Sequence, residues 1–284
     1  MFDQLGALLK RQTQQLRELL TPKAKIVHEL NKKERKADLS NNSIDDLELY
    51  FNVTTSKKDI IASQRLRYRV FSEEYGAQFK NKHDLDLDKF DKYCSHLVVK
   101  NQNDEDIVAY TRLLTQKQMI KAGRWYSEHE FDLGNLAKLD GKVLEIGRTC
   151  VHPKYRSGAA INTLWQGIAH FSNTYEARHL IGCASIPLLD GGQLIDELIP
   201  KIRREYFVDE TLRVTPHTPF DFGQAGSKEA QTTVKIPPLL KAYLRLGAKI
   251  GGEPYWDKEF NCVDLFILID VENISPRYKE RFFN

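Results

Sequence analysis

The sequence predicts a mixed α/β (α+β) fold, and two patterns along the chain lead to this prediction. Residues 95–100 and 106–114 alternate as two strands joined by the turn-rich segment NQNDE, which is typical of an antiparallel hairpin. Further on, residues 143–151, 157–171 and 179–185 follow one another as strand, helix and buried strand. A hairpin followed by a strand–helix–strand unit excludes both a pure β-sandwich and a helix bundle.

The N-terminal segment, residues 1–46, differs in character from the rest of the chain. Apolar residues recur at helical spacing over residues 2–20, with basic residues and glutamines between them, which predicts a basic amphipathic helix. Two interpretations stay open: this helix packs on the following domain, or it lies on an anionic membrane surface. The polar run 31–46 predicts a linker, so we place the folded domain at 47–284.

Hydrophobic periodicity places the other elements of the domain. It predicts a strand at 47–53, a helix at 57–74, helices at 189–204 and 236–247, and a last strand at 263–270. The segment 205–235 is rich in proline and glycine, so we interpret it as an inserted loop over one end of the sheet. Loops in such positions often cover a substrate.

Composition narrows the class of protein. With 41% hydrophobic and 29% charged residues the chain is typical of a globular protein. Its four cysteines are far apart and form no CxxC pair, so we predict neither a disulfide framework nor a metal site. The charge is nearly balanced beyond residue 40, which argues against nucleic-acid binding. No apolar run reaches the ~18 residues of a membrane span and no signal sequence is evident, which predicts a cytoplasmic protein.

Several motifs resemble those of one enzyme family. They are the helix segment Arg65–Phe71, the acidic stretch Asp84–Asp91 before His96, the strand end Tyr110–Leu114, the run Glu145–Pro153, and Pro237–Ala248 followed by Phe260 and Asn261. Over residues 48–280 this combination resembles the ornithine-lipid N-acyltransferases and, more distantly, the acyl-homoserine-lactone synthases. The resemblance implies a GNAT-like fold whose mostly antiparallel central sheet is flanked by helices. It also implies transfer of a fatty acyl group from acyl carrier protein to the α-amino group of an amino acid, with ornithine as the expected acceptor and a lyso-ornithine-type lipid as the product.

The expected catalytic residues lie on the strand at 143–151. In a regular strand, Glu145 and Arg148 would point to opposite faces, but a bulge near Gly147 would return both side chains to one face. The GNAT resemblance implies such a bulge, whose freed N–H can meet the thioester oxygen as negative charge develops. We therefore predict that Glu145 removes the amine proton. Arg148 would hold either Glu145 or the carboxylate of the substrate in position. The alternative interpretation is an ordinary buried ion pair.

Acceptor binding is predicted at the acidic stretch and its neighbours. A cationic acceptor would suit Asp88 or Asp91, and we assign His96, Arg112 and Arg69 to the same side of the reaction. A solvated loop is the alternative for the acidic stretch, and a structural histidine is the alternative at the strand start. A calcium loop is disfavoured because the glycine and the closing glutamate of an EF-hand are missing.

The donor is predicted to bind at the start of the following helix, through Val151, Arg156, Gly158 and Ala159. GNAT enzymes normally carry two glycines here, so that backbone N–H groups bind the pyrophosphate of coenzyme A. Alanine and isoleucine replace those glycines in this sequence, which favours a carrier-protein phosphopantetheine over coenzyme A. Acidic carrier proteins could dock on nearby basic residues, although the basic cluster 201–204 also suits a solvated helix face. We expect no other cofactor.

Two other functions remain in view. A quorum-signal synthase would use S-adenosylmethionine as acceptor, but such enzymes are typically shorter than this chain. A non-enzymatic, haemolysin-like membrane protein would act through the basic segment 2–20. The acyltransferase interpretation allows the same segment to contact the inner-membrane surface peripherally.

Overall fold

The computed structural model describes residues 48–77, 79, 83–156, 158–188, 192–222 and 236–283. The predicted amphipathic helix at 2–20 and the linker at 31–46 lie outside these residues, and both stay predictions. Within the described residues, no helix combines the length and the apolar character that a bilayer span requires.

The predicted strands and helices occur in the predicted order, with additional short strands and helices between them. The strands are β1 (Leu49–Thr54), β2 (Ser95–Asn101), β3 (Ile107–Thr115), β4 (Phe131–Asp132), β5 (Lys142–Val151), β6 (Ala177–Pro187), β7 (Thr215–Pro216), β8 (Lys249–Ile250), β9 (Tyr255–Asp257) and β10 (Cys262–Asp270). The helices are α1 (Lys57–Tyr75), α2 (Gln116–Ala122), α3 (Ala159–Tyr175), α4 (Gln193–Glu205), α5 (Pro238–Leu246) and α6 (Pro276–Tyr278). The bounds of α1, β2, β3 and β5 differ from the predicted ones by one residue at most. Helix α4 begins four residues later than predicted.

The central sheet is mixed and mainly antiparallel, as predicted. Eight of the described strands form it in the order β1–β2–β3–β5–β6–β10–β8, with β9 pairing to β10. Its ladders are antiparallel except that between β5 and β6, which is parallel. The crossover between these two strands is α3, as a parallel connection requires.

Helices cover both faces of the sheet because successive strand residues point to opposite sides. Leu97 of β2 belongs to the apolar cluster of Leu164 on α3. Its neighbour Val98 belongs instead to the cluster of Leu66 and Val70 on α1. Helix α1 is held in place at both ends, since the Ser56 side chain caps its first turn and Gly76 closes it in the left-handed conformation at φ 71°.

A β-bulge interrupts β5, as the sequence predicted. Tyr110 pairs with Cys150 and Arg112 pairs with Gly147, so one residue of β3 lies opposite two residues of β5. The left-handed conformation falls on Arg148, at φ 54°, and not on the glycine before it. A non-glycine residue rarely adopts this conformation, which costs about 1 kcal/mol or more and is most often kept at functional sites.

The two parallel strands approach each other closely at Gly182. Their ladder ends at the pair Ile146–Gly182, and β5 is bulged immediately beyond it. A Cβ atom at Gly182 would lie 2.2 Å from the backbone oxygen of Ile146. Only glycine therefore permits this close approach. The two strands separate immediately after this pair.

Replacing Gly182 with alanine should destabilise the protein. Since the obstructing atom is a backbone oxygen, one strand must shift, and we expect the free energy of unfolding to fall by about 1–3 kcal/mol. Urea denaturation measures this change. Gly147→Ala is the matched control, because a Cβ there would approach Arg112 only to 3.7 Å. Equal midpoints for the two variants would contradict the close approach of β5 and β6.

Candidate active site

A cavity of about 60 Å³ lies beyond the point where β5 and β6 part. Its wall includes Glu145, Gly147 and Arg148 of β5, Cys183 and Ser185 of β6, and Asp264 of β10. Strand-end clefts of this kind are common ligand sites in α/β proteins. The bulge in β5 thus brings the predicted glutamate and arginine to one cavity, although they are three residues apart in sequence.

Glu145 is buried and bound by the turn that starts the 3₁₀ helix Ser127–His129. The N–H of Tyr126 donates to Oε2 at 2.7 Å, while the N–H and hydroxyl of Ser127 donate to Oε1 at 2.8 and 2.5 Å. Burial raises the pKa of the carboxyl group, and these hydrogen bonds oppose that rise. A carboxylate has about four acceptor positions, so Oε2 keeps the capacity to accept a proton.

Arg148 contacts the acidic stretch in place of the expected contact with the glutamate. Its Nη1 donates to the Tyr126 hydroxyl at 2.9 Å, and its Nε lies 3.1 Å from Asp86. Its Nη2 is 3.5 Å from Asp88, and its guanidinium lies 4.8 Å from the ring centres of Tyr126 and Phe260. Arg148 therefore ties the cavity wall to the acidic stretch and is fixed between two aromatic rings.

The acidic stretch is neutralised by buried arginines of α1 and β3. The fully buried Arg67 binds Asp86 and Asp91, each at 2.8 Å. Arg112 lies 2.7 Å from Asp88 and 3.1 Å from Asp91. Burial alone would raise the pKa of Asp88, but Arg112 and Arg148 hold it below its usual value. The carboxylates predicted to bind the acceptor are thus already paired with cations of the chain, and their role toward the acceptor stays a prediction.

Two further residues assigned to the acceptor lie outside the cavity wall. The His96 ring lies between the Tyr110 hydroxyl, 2.7 Å away, and the backbone oxygen of Asp91, 2.8 Å away. Arg69 is exposed and contacts the ring of His152 at 3.2 Å. The alternative interpretation of His96 as a structural histidine agrees with these contacts.

The predicted donor residues meet at the start of α3. Gly158 precedes the helix at φ 98°, and Ala159 begins it. A glycine cap has no side chain to bind the first N–H groups, which leaves them available to a phosphate. Arg156 donates to the backbone oxygen of Val151 at 3.2 Å and forms an ion pair with Glu74.

Comparisons with known proteins identify relatives of this chain. A family model described as an acetyltransferase (GNAT) domain matches residues 66–166. The L-ornithine N(alpha)-acyltransferase of Rhodobacter capsulatus is 35% identical, with 78% of this chain and 90% of that protein aligned. The protein of the same name from Brucella abortus is 33% identical, with 81% and 87% aligned. This chain belongs to the L-ornithine N(alpha)-acyltransferase family. It is therefore an N-acyltransferase enzyme.

Solved structures with a related outline include two synthases. The N-acyl amino acid synthase FeeM from uncultured soil microbes has a TM-score of 0.48 at 8% identity, with 80% of this chain and 93% of that chain aligned. The AHL synthase LasI has a TM-score of 0.46 at 10% identity, with 84% and 95% aligned. Both scores lie below 0.5.

The cavity of the acyltransferase is bordered by two buried acidic residues that the sequence did not single out. Glu130 follows the 3₁₀ helix and is 5% exposed, and Asp264 lies in β10 and is 3% exposed. Burial raises the pKa of Asp264 to about 7 and that of Glu130 well above its usual value. A carboxylate within the apolar run CVDLFILID was the available signal for Asp264. Glu130 lies in a mixed polar segment that gives no such signal.

Proposed function

We propose that this N-acyltransferase moves a fatty acyl group from an acyl carrier protein to the α-amino group of ornithine. The observation that carries the proposal is the cavity at the parting of β5 and β6, which holds Glu145 beside the bulge in a chain of this family. The names of the relatives support ornithine as acceptor. The product would be a lyso-ornithine-type lipid.

The proposed reaction exchanges a thioester for an amide. Glu145 accepts a proton from the α-ammonium group, directly or through a water molecule, and the freed amine attacks the thioester carbonyl. A carbon–nitrogen bond forms, the carbon–sulfur bond breaks, and the pantetheine sulfur leaves as a thiol with the second proton that the attacking nitrogen releases on becoming an amide. A backbone N–H beside Gly147 stabilises the oxyanion. Arg148, fixed against Asp88, faces the same cavity and is suited to the acceptor carboxylate.

The donor proposal rests on the start of α3 and on the wall of the cavity. The uncapped first turn after Gly158 suits the single phosphodiester of phosphopantetheine, and basic residues such as Lys154 could contact an acidic carrier. Phe71 and Phe260 border the cavity with their rings 5.9 Å apart. They offer the acyl chain an apolar surface next to the polar end.

Purified enzyme tests the proposal with matched donors and acceptors. Palmitoyl carrier protein and palmitoyl coenzyme A are each incubated with ornithine or S-adenosylmethionine, and products are identified by mass spectrometry. We expect N-acylornithine, formed faster from the carrier protein. Product from S-adenosylmethionine alone would favour a signal synthase, and leakage of vesicles without any acyl transfer would favour the haemolysin-like alternative.

The proposed contact of residues 2–20 with the inner-membrane surface rests on the sequence alone, as these residues lie outside the described part of the chain. Co-sedimentation of the full chain with anionic vesicles, compared with neutral ones, tests it. We expect binding to the anionic vesicles that weakens at high salt, because this segment has an excess of basic residues.

A further inference from the structure

The far end of the cavity holds carboxyl groups that the proposed mechanism does not use. Glu130 and Asp264 are buried there, and the half-buried Asp257 of β9 borders the same space. Asp264 accepts the Ser185 hydroxyl at 2.5 Å. Oε2 of Glu130, by contrast, has no hydrogen-bond partner among the described residues. A buried carboxylate oxygen without a partner is unfavourable in a folded protein, so it marks a position that a bound donor could fill.

This acidic end is separate from the proposed base. Contacts run along the cavity from Glu145 to Ser127 at 2.5 Å and from Ser127 to Cys183 at 3.4 Å. Cys183 in turn lies beside Glu130, whose charge interacts with that of Asp264. Ser127 and Cys183 therefore lie between the two acidic ends, and a ligand with two amino groups could reach both.

The charge balance of the cavity favours a cation. Four carboxyl groups border it among the described residues, against the single guanidinium of Arg148. That guanidinium already contacts Asp86 and Asp88. Among the described residues, the charge of Arg148 only partly offsets burial at the acidic end, so the carboxyl groups of Glu130 and Asp264 bind a proton more readily than usual.

We propose that Glu130 and Asp264, with Asp257 at the rim, bind the side-chain ammonium of the acceptor amino acid. The inference rests on the proposed function, since it names the part of the site that selects a diamino acid. An ammonium group has three donors, one for each carboxylate. The α-amino group then lies toward Glu145, which removes its proton, while the side-chain amino group stays charged and is not acylated.

A metal ion suits this end of the cavity less well. Ligand atoms of Asp257, Cys262 and Asp264 lie within 4.8 Å of one another. Burial and the charge of Asp264 raise the pKa of the Cys262 thiol well above its usual value, however, so it stays protonated. A protonated thiol is a poor metal ligand, whereas an ammonium group needs only the neighbouring carboxyl oxygens as acceptors.

Calorimetry with ornithine and norvaline tests the inference, because norvaline has the same carbon skeleton without the side-chain amino group. We expect the wild type to bind ornithine about 10- to 100-fold more tightly at pH 8, with no effect of EDTA. Glu130→Gln and Asp264→Asn should each reduce that ratio about tenfold or more. The exposed Glu210→Gln is the matched control and should keep it.

Three results would overturn the inference: equal binding of both amino acids by the wild type, an unchanged ratio in either variant that melts like the wild type, or loss of ornithine binding in EDTA. Acyl transfer is measured in parallel. Equal transfer to ornithine and norvaline would remove the ammonium site and leave the proposed function intact. Selective ornithine binding without any acyl transfer would contradict the proposed function and leave the ammonium site intact.

The pH dependence of binding gives a second readout that requires no variant. Asp264 interacts with the charged or titratable groups of Glu130, Asp257, Arg148, Cys183, Cys262, Tyr75 and Tyr255, and with the Ser185 hydroxyl. Its carboxyl group must be ionised to bind an ammonium ion, so the ratio of ornithine to norvaline affinity should rise between pH 6 and pH 8, through its pKa of about 7. A ratio that is constant or falls over this range would contradict the assignment.

Discussion

Replacing Glu145 with glutamine should lower kcat/KM for acyl transfer by about 10²- to 10⁴-fold, because the amine would lose its proton acceptor. The side-chain amide can keep its oxygen toward the two donors of Ser127 and loses only the hydrogen bond from the Tyr126 N–H, so the turn that holds it should stay folded. Steady-state rates with acyl carrier protein and ornithine measure the loss. Circular dichroism and a melting curve check that the variant folds.

Ser127→Ala is the matched variant that separates the chemistry of Glu145 from its packing. It removes the hydroxyl that donates at 2.5 Å and leaves the carboxyl group in place. That hydrogen bond stabilises the ionised form, so without it the pKa of Glu145 should rise. The acidic limb of the pH profile of kcat should therefore move to higher pH. Near-normal turnover in Glu145→Gln, or an unshifted limb in Ser127→Ala, would remove this carboxyl group from the mechanism.

Arg67→Ala should lower the free energy of unfolding by about 3–5 kcal/mol, the largest effect on stability that we expect. The guanidinium is fully buried and binds both Asp86 and Asp91 at 2.8 Å. Removing one partner of a buried ion pair leaves the other charged group buried without a counter-ion. The resulting loss of stability is larger than the net stabilisation that the ion pair itself contributes. Chemical denaturation at pH 7 measures the change.

Arg65→Ala provides the control on the same helix. This arginine is exposed, and its removal should change stability by no more than about 0.5 kcal/mol. The two variants should also differ in acid. Burial alone would raise the pKa of Asp91, but Arg67 holds this pKa well below its usual range. The ion pair therefore stabilises the wild type fully at a pH above the pKa of the unfolded carboxyl group, and this stabilisation is lost as the pH falls toward the pKa of the folded state. Arg67→Ala should show a weaker loss of stability in acid, and equal acid sensitivity in both variants would contradict this.

The order of elements was predictable because each strand and helix carries its own periodicity. The hairpin of β2 and β3 and the helix α1 were placed within one residue, since alternation and helical spacing are local properties. Helix α4 was less predictable at its start, where glycine and proline residues give no periodic signal. The bulge was also predictable from its glycine, although the strained residue is the arginine that follows it.

The partners of charged residues were not predictable from the sequence. Asp88 and Asp91 suggested an acceptor site by charge alone, but the fold buries Arg67 and Arg112 against them. Glu130 gave no sequence signal because its importance comes from Asp264, which is distant in the chain and close in the cavity.

The sequence by itself determined the fold class, the family and the place of Glu145 and Arg148 on one bulged strand, since these depend on local patterns and motifs. The tertiary structure alone decided which charges neutralise each other and at which carboxyl groups burial outweighs the nearby positive charge. The physical reason is that the energy of a buried charge depends on distance and solvent access, and both are set by residues from remote parts of the chain.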